Sequence, residues 1–185
     1  MAIFTGLGAS LFVAYRGGLG SFFAIVLFFL IGEFVTRKIR DKYHRKQHGT
    51  RSTVNIVGNI GPALIALALN PVHFNVMFFT SLSAAFADTL SSEIGVLSKA
   101  QPLLITTLKP ATAGEDGAVS MLGFLGAGIG ALIYGVLALI ITGNLFWMAV
   151  VFIAGLLGSA LDSFLGAPVQ KEGYLDNNTN NFVSS

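Results

Sequence analysis

Apolar runs separated by short polar stretches make up most of the chain. The runs occupy residues 3–15, 18–36, 54–69, 72–88, 119–141 and 145–166. A membrane-spanning helix needs about 20 predominantly apolar residues. The pattern therefore predicts an all-α integral membrane protein with about five to six transmembrane helices, the glycine-rich first run being partial or re-entrant. Turns are predicted at Asn70-Pro71 and at Thr142-Gly143-Asn144, because proline and glycine interrupt helices.

Composition supports the same class. Hydrophobic residues form 54% of the 185 residues, charged residues form 11%, and the mean hydropathy is +0.74, whereas soluble domains average about 25% charged residues. The chain has no cysteine, which excludes disulfides and thiolate metal sites. The first run lacks a basic n-region, so no cleavable signal peptide is expected. We expect one polytopic membrane domain over residues 1–185.

The distribution of basic residues predicts the orientation. Seven of the eleven lysines and arginines lie between Arg37 and Arg51, and the positive-inside rule places such a loop in the cytoplasm. Counting spans from there puts residues 89–117 and 170–185 on the same side as residues 37–51. For residues 38–46 we favour a topology signal or a contact with anionic lipid.

Three acidic residues stand at the ends of apolar runs: Asp88, Glu93 and Asp162. Ionisable groups at membrane depth are costly and usually functional. Asp88 and Ser92 share a helical face, as do Gly158, Asp162 and Gly166. The alternatives are a solvated carboxylate at the interface for Asp88 and a carboxylate capped by a neighbouring helix for Asp162. Function is favoured for both, and the alternatives for Glu93 are evenly balanced.

Two polar segments could supply phosphate-binding groups. The first, residues 102–120, carries Thr106, Thr107, Lys109, Asp116 and Ser120, and the second, residues 51–61, carries Arg51, Asn55 and Asn59. Hydroxyls, an ammonium and backbone N–H groups can bind phosphates, and carboxylates can bind Mg²⁺. The alternatives are a solvated connector and hydrogen bonding between helices. There is no Walker A motif.

Ordered motifs carry a resemblance to one membrane family. They are Asp88-Thr89-Leu90-Ser91-Ser92-Glu93-Ile94-Gly95, Leu104-Ile105-Thr106-Thr107, Gly114-Glu115-Asp116-Gly117-Ala118-Val119-Ser120, residues 158–167 with Gln170, Arg51-Ser52 with Asn59, and the tail from Leu175 to Phe182. The chain resembles an integral membrane family that is classed as a domain of unknown function. This family includes transmembrane protein nineteen of animals and the phytyl-phosphate kinase of plant chloroplasts and cyanobacteria.

The resemblance implies a membrane-embedded transferase. It would be a kinase that transfers a phosphoryl group from a nucleoside triphosphate, expected to be CTP, to an isoprenyl monophosphate lipid. On this reading the catalytic residues are Asp88, Glu93, Lys109 and Asp162, with Mg²⁺ held by the three acids. The residues that would bind the nucleotide or the substrate are Arg51, Asn55, Asn59, Ser92, Thr106, Thr107, Asp116, Ser120, Ser163 and Gln170. The acceptor is already anionic, so positioning and charge neutralisation suffice.

Two other functions remain open. A small transporter or channel would carry polar residues through the full membrane depth, often in inverted repeats, whereas the outer halves of these spans are nearly free of charge and show no repeat. A non-catalytic membrane scaffold subunit would bind no nucleotide. The expected partners are the lipid bilayer, the nucleotide and the prenyl phosphate; no nucleic acid is expected, and homo-oligomerisation is left open.

Overall fold

The computed structural model describes residues 2–43, 53–70, 75–115, 117–167 and 177–185. Its elements are α1 (Ala2–Tyr43), α2 (Thr53–Leu69), α3 (Val76–Gly95), β1 (Leu103–Leu104), β2 (Ala118–Val119), α4 (Met121–Thr142), α5 (Leu145–Leu165) and α6 (Asn177–Ser184). The described residues contain three stretches apolar and long enough to cross a membrane, which are Gly8–Ile39, Met121–Thr142 and Leu145–Leu165. This confirms the all-α membrane bundle.

Helix α1 consists of two helical halves that correspond to the first two apolar runs and meet at a kink. Its backbone leaves helical geometry at Gly18, where φ is 72° and ψ is −173°. A left-handed φ is readily available only to glycine, so Gly18 places a kink between the two halves. The apolar stretch Gly8–Ile39 has 32 residues, or about 48 Å of helix at 1.5 Å per residue. This helical length exceeds the roughly 30 Å thickness of the hydrocarbon core of a bilayer.

Helix α3 is the centre of the bundle. Ten of its 20 residues are buried, against four of the 21 in α5, and it contacts all of the other described helices. Rings from three helices meet at its middle: Phe86 lies 5.6 Å from Phe28 of α1 and 5.4 Å from Tyr134 of α4, between centroids. Because neighbouring helices bury one side of α3, the buried serines Ser81 and Ser83 do not face hydrocarbon.

Small residues let α4 and α5 approach α3 closely. A Cβ on Gly126 would lie 2.7 Å from the Leu90 carbonyl oxygen, and one on Gly130 would lie 2.8 Å from the Ala87 Cα. A Cβ on Gly155 would collide with Ser83 Oγ. Packing through small residues is the usual way for membrane helices to associate, as the glycine spacing of α4 indicates.

Helix α3 extends further than the apolar run predicts. We expected a span over residues 72–88, with residues 89–117 outside the membrane, but the helix continues to Gly95. Its last turns pack on α4, where a Cβ on Gly123 would lie 3.1 Å from the Ser91 carbonyl oxygen. This packing stabilises as helix a polar segment that hydropathy alone assigns to a loop.

The helix ends define two opposite faces of the bundle. At the far face, Arg16 Nη2 donates to the Ala68 carbonyl at 2.6 Å, and Asn75 caps α3 while donating to the Ala66 carbonyl at 2.9 Å. At the other face, called here the polar face, α3 ends, α4 begins, α5 ends and α6 packs on the start of α2. Ser120 Oγ donates to the Gly95 carbonyl there at 3.2 Å.

Candidate functional site

Two aspartates from different helices come together near the polar face. Asp88 of α3 and Asp162 of α5 lie close enough for their carboxylates to repel each other, and the Ser159 hydroxyl hydrogen-bonds to Asp88. Ser159 is buried and lies about one turn before Asp162 on α5. We call Asp88, Asp162 and Ser159 the acid pair site.

The close approach of α3 and α5 produces this contact. A Cβ on Gly158 would collide with Ala84 Cβ, so the two backbones touch one turn before each aspartate. Residues four apart lie on the same face of a helix. The Ala84–Gly158 contact therefore brings Asp88 and Asp162 to the same level.

Helix α6 covers Asp162 from the other side. Ser184 Oγ donates to Asp162 Oδ1 at 2.9 Å, and Asn180 Nδ2 donates to the Asp162 main-chain oxygen at 2.9 Å. Asn180 is 1% exposed, and its Oδ1 has no hydrogen-bond partner among the described residues. These side chains, like Ser159, were not among the predicted site residues, although the family-like tail contains Asn180.

Asn59 holds α6 rather than the acid pair. Asn181 Nδ2 donates to Asn59 Oδ1 at 3.1 Å, so the predicted binding residue links α2 to α6. This is the hydrogen bonding between helices that the sequence left as the alternative for Asn59.

Residues 96–115 and 117–120 form an ordered segment rather than a plain connector. Leu103 and Leu104 of β1 pair antiparallel with Val119 and Ala118 of β2. We call the two strands and the described residues between them (103–115 and 117–119) the ribbon. A Cβ on Gly117 would collide with Ala167, so the base of the ribbon rests against the residues that follow α5. The ribbon is thereby held at the same face as the acid pair site.

The predicted phosphate-binding side chains of the ribbon are accessible to a ligand. Thr106, Thr107 and Lys109 are exposed. The main-chain nitrogen of Lys109 lies 3.5 Å from Thr107 Oγ1. Ser120 instead caps α4: its Oγ accepts from the Gly123 N–H at 3.1 Å while donating to Gly95. Both roles of that hydroxyl are structural.

Glu93, Ser92 and Ser163 also lie at the polar face. Ser92 is exposed and one turn beyond Asp88, whereas Glu93 is partly buried and about 140° round the helix from Asp88. Ser163 follows Asp162 and is partly buried. The structure brings Asp88 and Asp162 together, and the geometry of α3 turns Glu93 away from them.

Four predicted site residues fall outside this description. Arg51, Asp116 and Gln170 lie outside the described residues, and the side chain of Asn55 is likewise not described.

The acid pair site offers oxygen donors only. Mg²⁺ is commonly held by one or two carboxylates, with waters and substrate phosphates completing its shell. No group of three or more histidine, cysteine, aspartate or glutamate side chains among the described residues could hold a metal. Asp88 and Asp162 supply two carboxylates beside two hydroxyls. This set fits Mg²⁺ in its phosphate-bound form.

Comparison with known proteins gives a consistent picture. The chain is 32% identical to an uncharacterized membrane protein of Methanocaldococcus jannaschii, over 87% of this chain and 70% of that protein. It is 31% identical to Protein PGR of Arabidopsis thaliana, over 81% of this chain and 64% of that protein. It is also 31% identical to an uncharacterized membrane protein of a Synechocystis species, over 84% of this chain and 65% of that protein.

The chain thus spans about two thirds of the length of these curated relatives. No solved structure matches it. Residues 1–185 match the family described as integral membrane protein DUF92 along their whole length, which confirms the family resemblance seen in the sequence motifs. The chain belongs to the integral membrane protein family DUF92.

Proposed function

We propose that this protein is a membrane-embedded kinase that transfers a phosphoryl group from a nucleoside triphosphate, CTP in the first instance, to an isoprenyl monophosphate. The observation that carries the proposal is the proximity of Asp88 and Asp162, close enough to repel each other, at the face where the ribbon and α6 gather. Partly buried carboxylates that repel each other are costly. A divalent cation that accompanies a phosphate ligand would offset that cost.

Asp88 and Asp162 would hold the cation, with Ser159 fixing the Asp88 carboxylate. Bound Mg²⁺ would neutralise charge on the phosphate oxygens. The chain's own residues would position two anionic phosphates against each other, which is most of what phosphoryl transfer requires. Since the acceptor phosphate is already ionised, no strong general base is needed.

The ribbon would bind the nucleotide phosphates. Lys109 is exposed, carries a positive charge and closely follows the exposed Thr106 and Thr107 in the chain. An ammonium and two hydroxyls are suitable donors for phosphate oxygens. The apolar surfaces of the helices would accommodate the prenyl chain, because a lipid tail then remains in hydrocarbon while its phosphate reaches the acid pair.

We further propose that the polar face is cytoplasmic, where nucleoside triphosphates are available. The basic cluster from Arg37 to Arg51 supports this through the positive-inside rule. The described part of the cluster ends α1, whereas Arg16, just before the Gly18 kink of α1, meets the end of α2 at the far face.

The direct test is turnover. The purified protein is incubated with Mg²⁺, CTP or ATP labelled at the γ-phosphate, and prenyl monophosphates of increasing chain length. We expect label in a prenyl diphosphate, and none with the Asp88→Asn variant. A well-folded wild-type protein that labels no prenyl phosphate with either nucleotide would contradict the proposal.

A further inference from the structure

Helix α6 is seated on glycines of two other helices. A Cβ on Gly58 of α2 would lie 2.8 Å from the Asn178 carbonyl oxygen, and one on Gly61 would lie 2.6 Å from the Phe182 ring. A Cβ on Gly158 of α5 would lie 2.9 Å from the Ser184 carbonyl oxygen. Three positions without side chains therefore form a fitted seat for a short, polar helix.

The two sides of α6 have different contacts. Asn178, Asn181 and Phe182 face α2. Asn180 and Ser184, four residues apart and so on one face, both hydrogen-bond to Asp162. The second face is therefore directed at the acid pair site.

One atom on that face is buried without a partner. Asn180 is 1% exposed, and its Nδ2 donates to the main-chain oxygen of Asp162, but its Oδ1 has no hydrogen-bond partner among the described residues. Leaving a buried acceptor without a hydrogen bond destabilises the folded protein. Such an atom calls for an explanation, and a ligand is one.

We propose that Asn180 Oδ1 is a further oxygen ligand for a divalent cation bound by Asp88 and Asp162, so that α6 forms a wall of the site. The inference rests on the cation site of the proposed function. Amide oxygens are suitable ligands for hard cations. Ser184 acts through Asp162: by donating to Oδ1 it orients that carboxylate.

Direct measurement of Mn²⁺ binding tests the assignment. Mn²⁺ is a spectroscopic substitute for Mg²⁺, and its free signal in electron paramagnetic resonance gives the affinity without nucleotide or prenyl phosphate. We expect one site in the wild-type protein that is lost in Asp162→Asn. Asn180→Ala should weaken it at least about tenfold, as for other residues that support a metal site. Asn180→Asp should restore or tighten it, since a carboxylate replaces the amide oxygen.

Asn181→Ala is the matched control. It removes the hydrogen bond from α6 to Asn59 but leaves the face with Asn180 intact, so its Mn²⁺ affinity should stay near that of the wild type. Any of four results would overturn the inference. These are equal losses of Mn²⁺ affinity in Asn180→Ala and Asn181→Ala, no loss in Asn180→Ala, weaker Mn²⁺ binding in Asn180→Asp, and the absence of a site that depends on Asp162. Intact Mn²⁺ binding without any transferase activity would count against the proposed kinase alone.

Discussion

Asp88 lies about 10 Å before the C-terminal end of α3, counted as seven residues of helix rise. A charge at that depth would be costly next to lipid. Here the carboxylate is partly buried, is hydrogen-bonded to Ser159 and lies near Asp162. A second acid at such a position increases the electrostatic cost rather than reducing it, which favours a functional reason for the pair.

Neutral isosteres of the two aspartates should separate function from folding. Asp88→Asn and Asp162→Asn keep the side-chain shape but remove cation ligands, so turnover should fall at least about a hundredfold, given the several kcal/mol that a metal contributes to charge stabilisation. Glu33→Gln is the control, because its carboxylate pairs with Arg37 on the exposed surface of α1. Normal turnover in either aspartate variant would exclude that residue from the site.

Lys109 allows a test of the ribbon by itself. If its ammonium binds nucleotide phosphates, Lys109→Met should weaken nucleotide binding about tenfold, the value of one charge-assisted contact. Lys109→Arg should recover part of the loss, because a planar guanidinium replaces a compact ammonium. Lys99→Met provides an exposed control. Equal affinities in titrations of all four proteins would show that the ribbon does not bind the nucleotide through Lys109.

Helix packing depends on which glycines face a neighbouring backbone. On α4, Gly126 and Gly130 touch α3, whereas a Cβ on Gly128 would meet nothing within 4 Å. Gly126 and Gly130 are four residues apart and share one face of the helix, whereas Gly128 is two residues from each and lies on another side. The contact with α3 is therefore specific to one stripe of α4.

Single alanine substitutions should show this difference in stability. Gly126→Ala forces α4 away from Leu90 and should lower the free energy of unfolding by about 1–3 kcal/mol, as other overpacked positions do. Gly128→Ala has open space and a better helix former, so its stability should be unchanged or higher. Thermal unfolding in detergent compares the two. A Gly128→Ala protein as unstable as Gly126→Ala would mean that α4 does not pack as described.

The sequence predicted some elements well and others not at all. Apolar runs located the long helices, because hydropathy can be read from a short window of neighbouring residues. The extension of α3 to Gly95 and the ribbon depend on contacts between distant segments. The break between the first two apolar runs corresponds to the kink at Gly18. An eight-residue helix such as α6 is too short and too polar to stand out by hydropathy, and it is its seat on Gly58 and Gly158 that identifies it in the structure.

The candidate site shows the same division. Asp88 and Asp162 were identified from the cost of charge in a membrane, which each residue reveals by itself. Their partners Ser159, Asn180 and Ser184 are ordinary polar residues in sequence, and only the Ala84–Gly158 contact and the docking of α6 bring them to the acids. Glu93 was grouped with the aspartates because it stands at the end of an apolar run and within the family-like motif; it lies about 140° round α3 from Asp88.

At the scale of the molecule, the polar segments share one face. Single cysteines placed at Lys38, Ala113 and Thr179, all exposed, should react with a membrane-impermeant maleimide only from the cytoplasmic side. A cysteine at the exposed Asn70, on the far face, should react only from outside. The chain has no cysteine of its own, so background labelling is low. Labelling of any of the first three from outside would separate the segments and remove the single-face site.

The placement of α3 has a consequence for how the chain enters the membrane during synthesis. A segment leaves the insertion machinery for lipid when its own apolar residues outweigh its polar ones. Helix α3 contains Asp88 and several serines, and it is not among the described stretches that are apolar enough to cross a membrane. The helices that shield it most, α4 and α5, are made later. We therefore expect α3 to wait beside the insertion machinery until they arrive, so that chains ending near Lys99 leave α3 uninserted in a glycosylation-mapping assay whereas chains reaching Gly166 insert it.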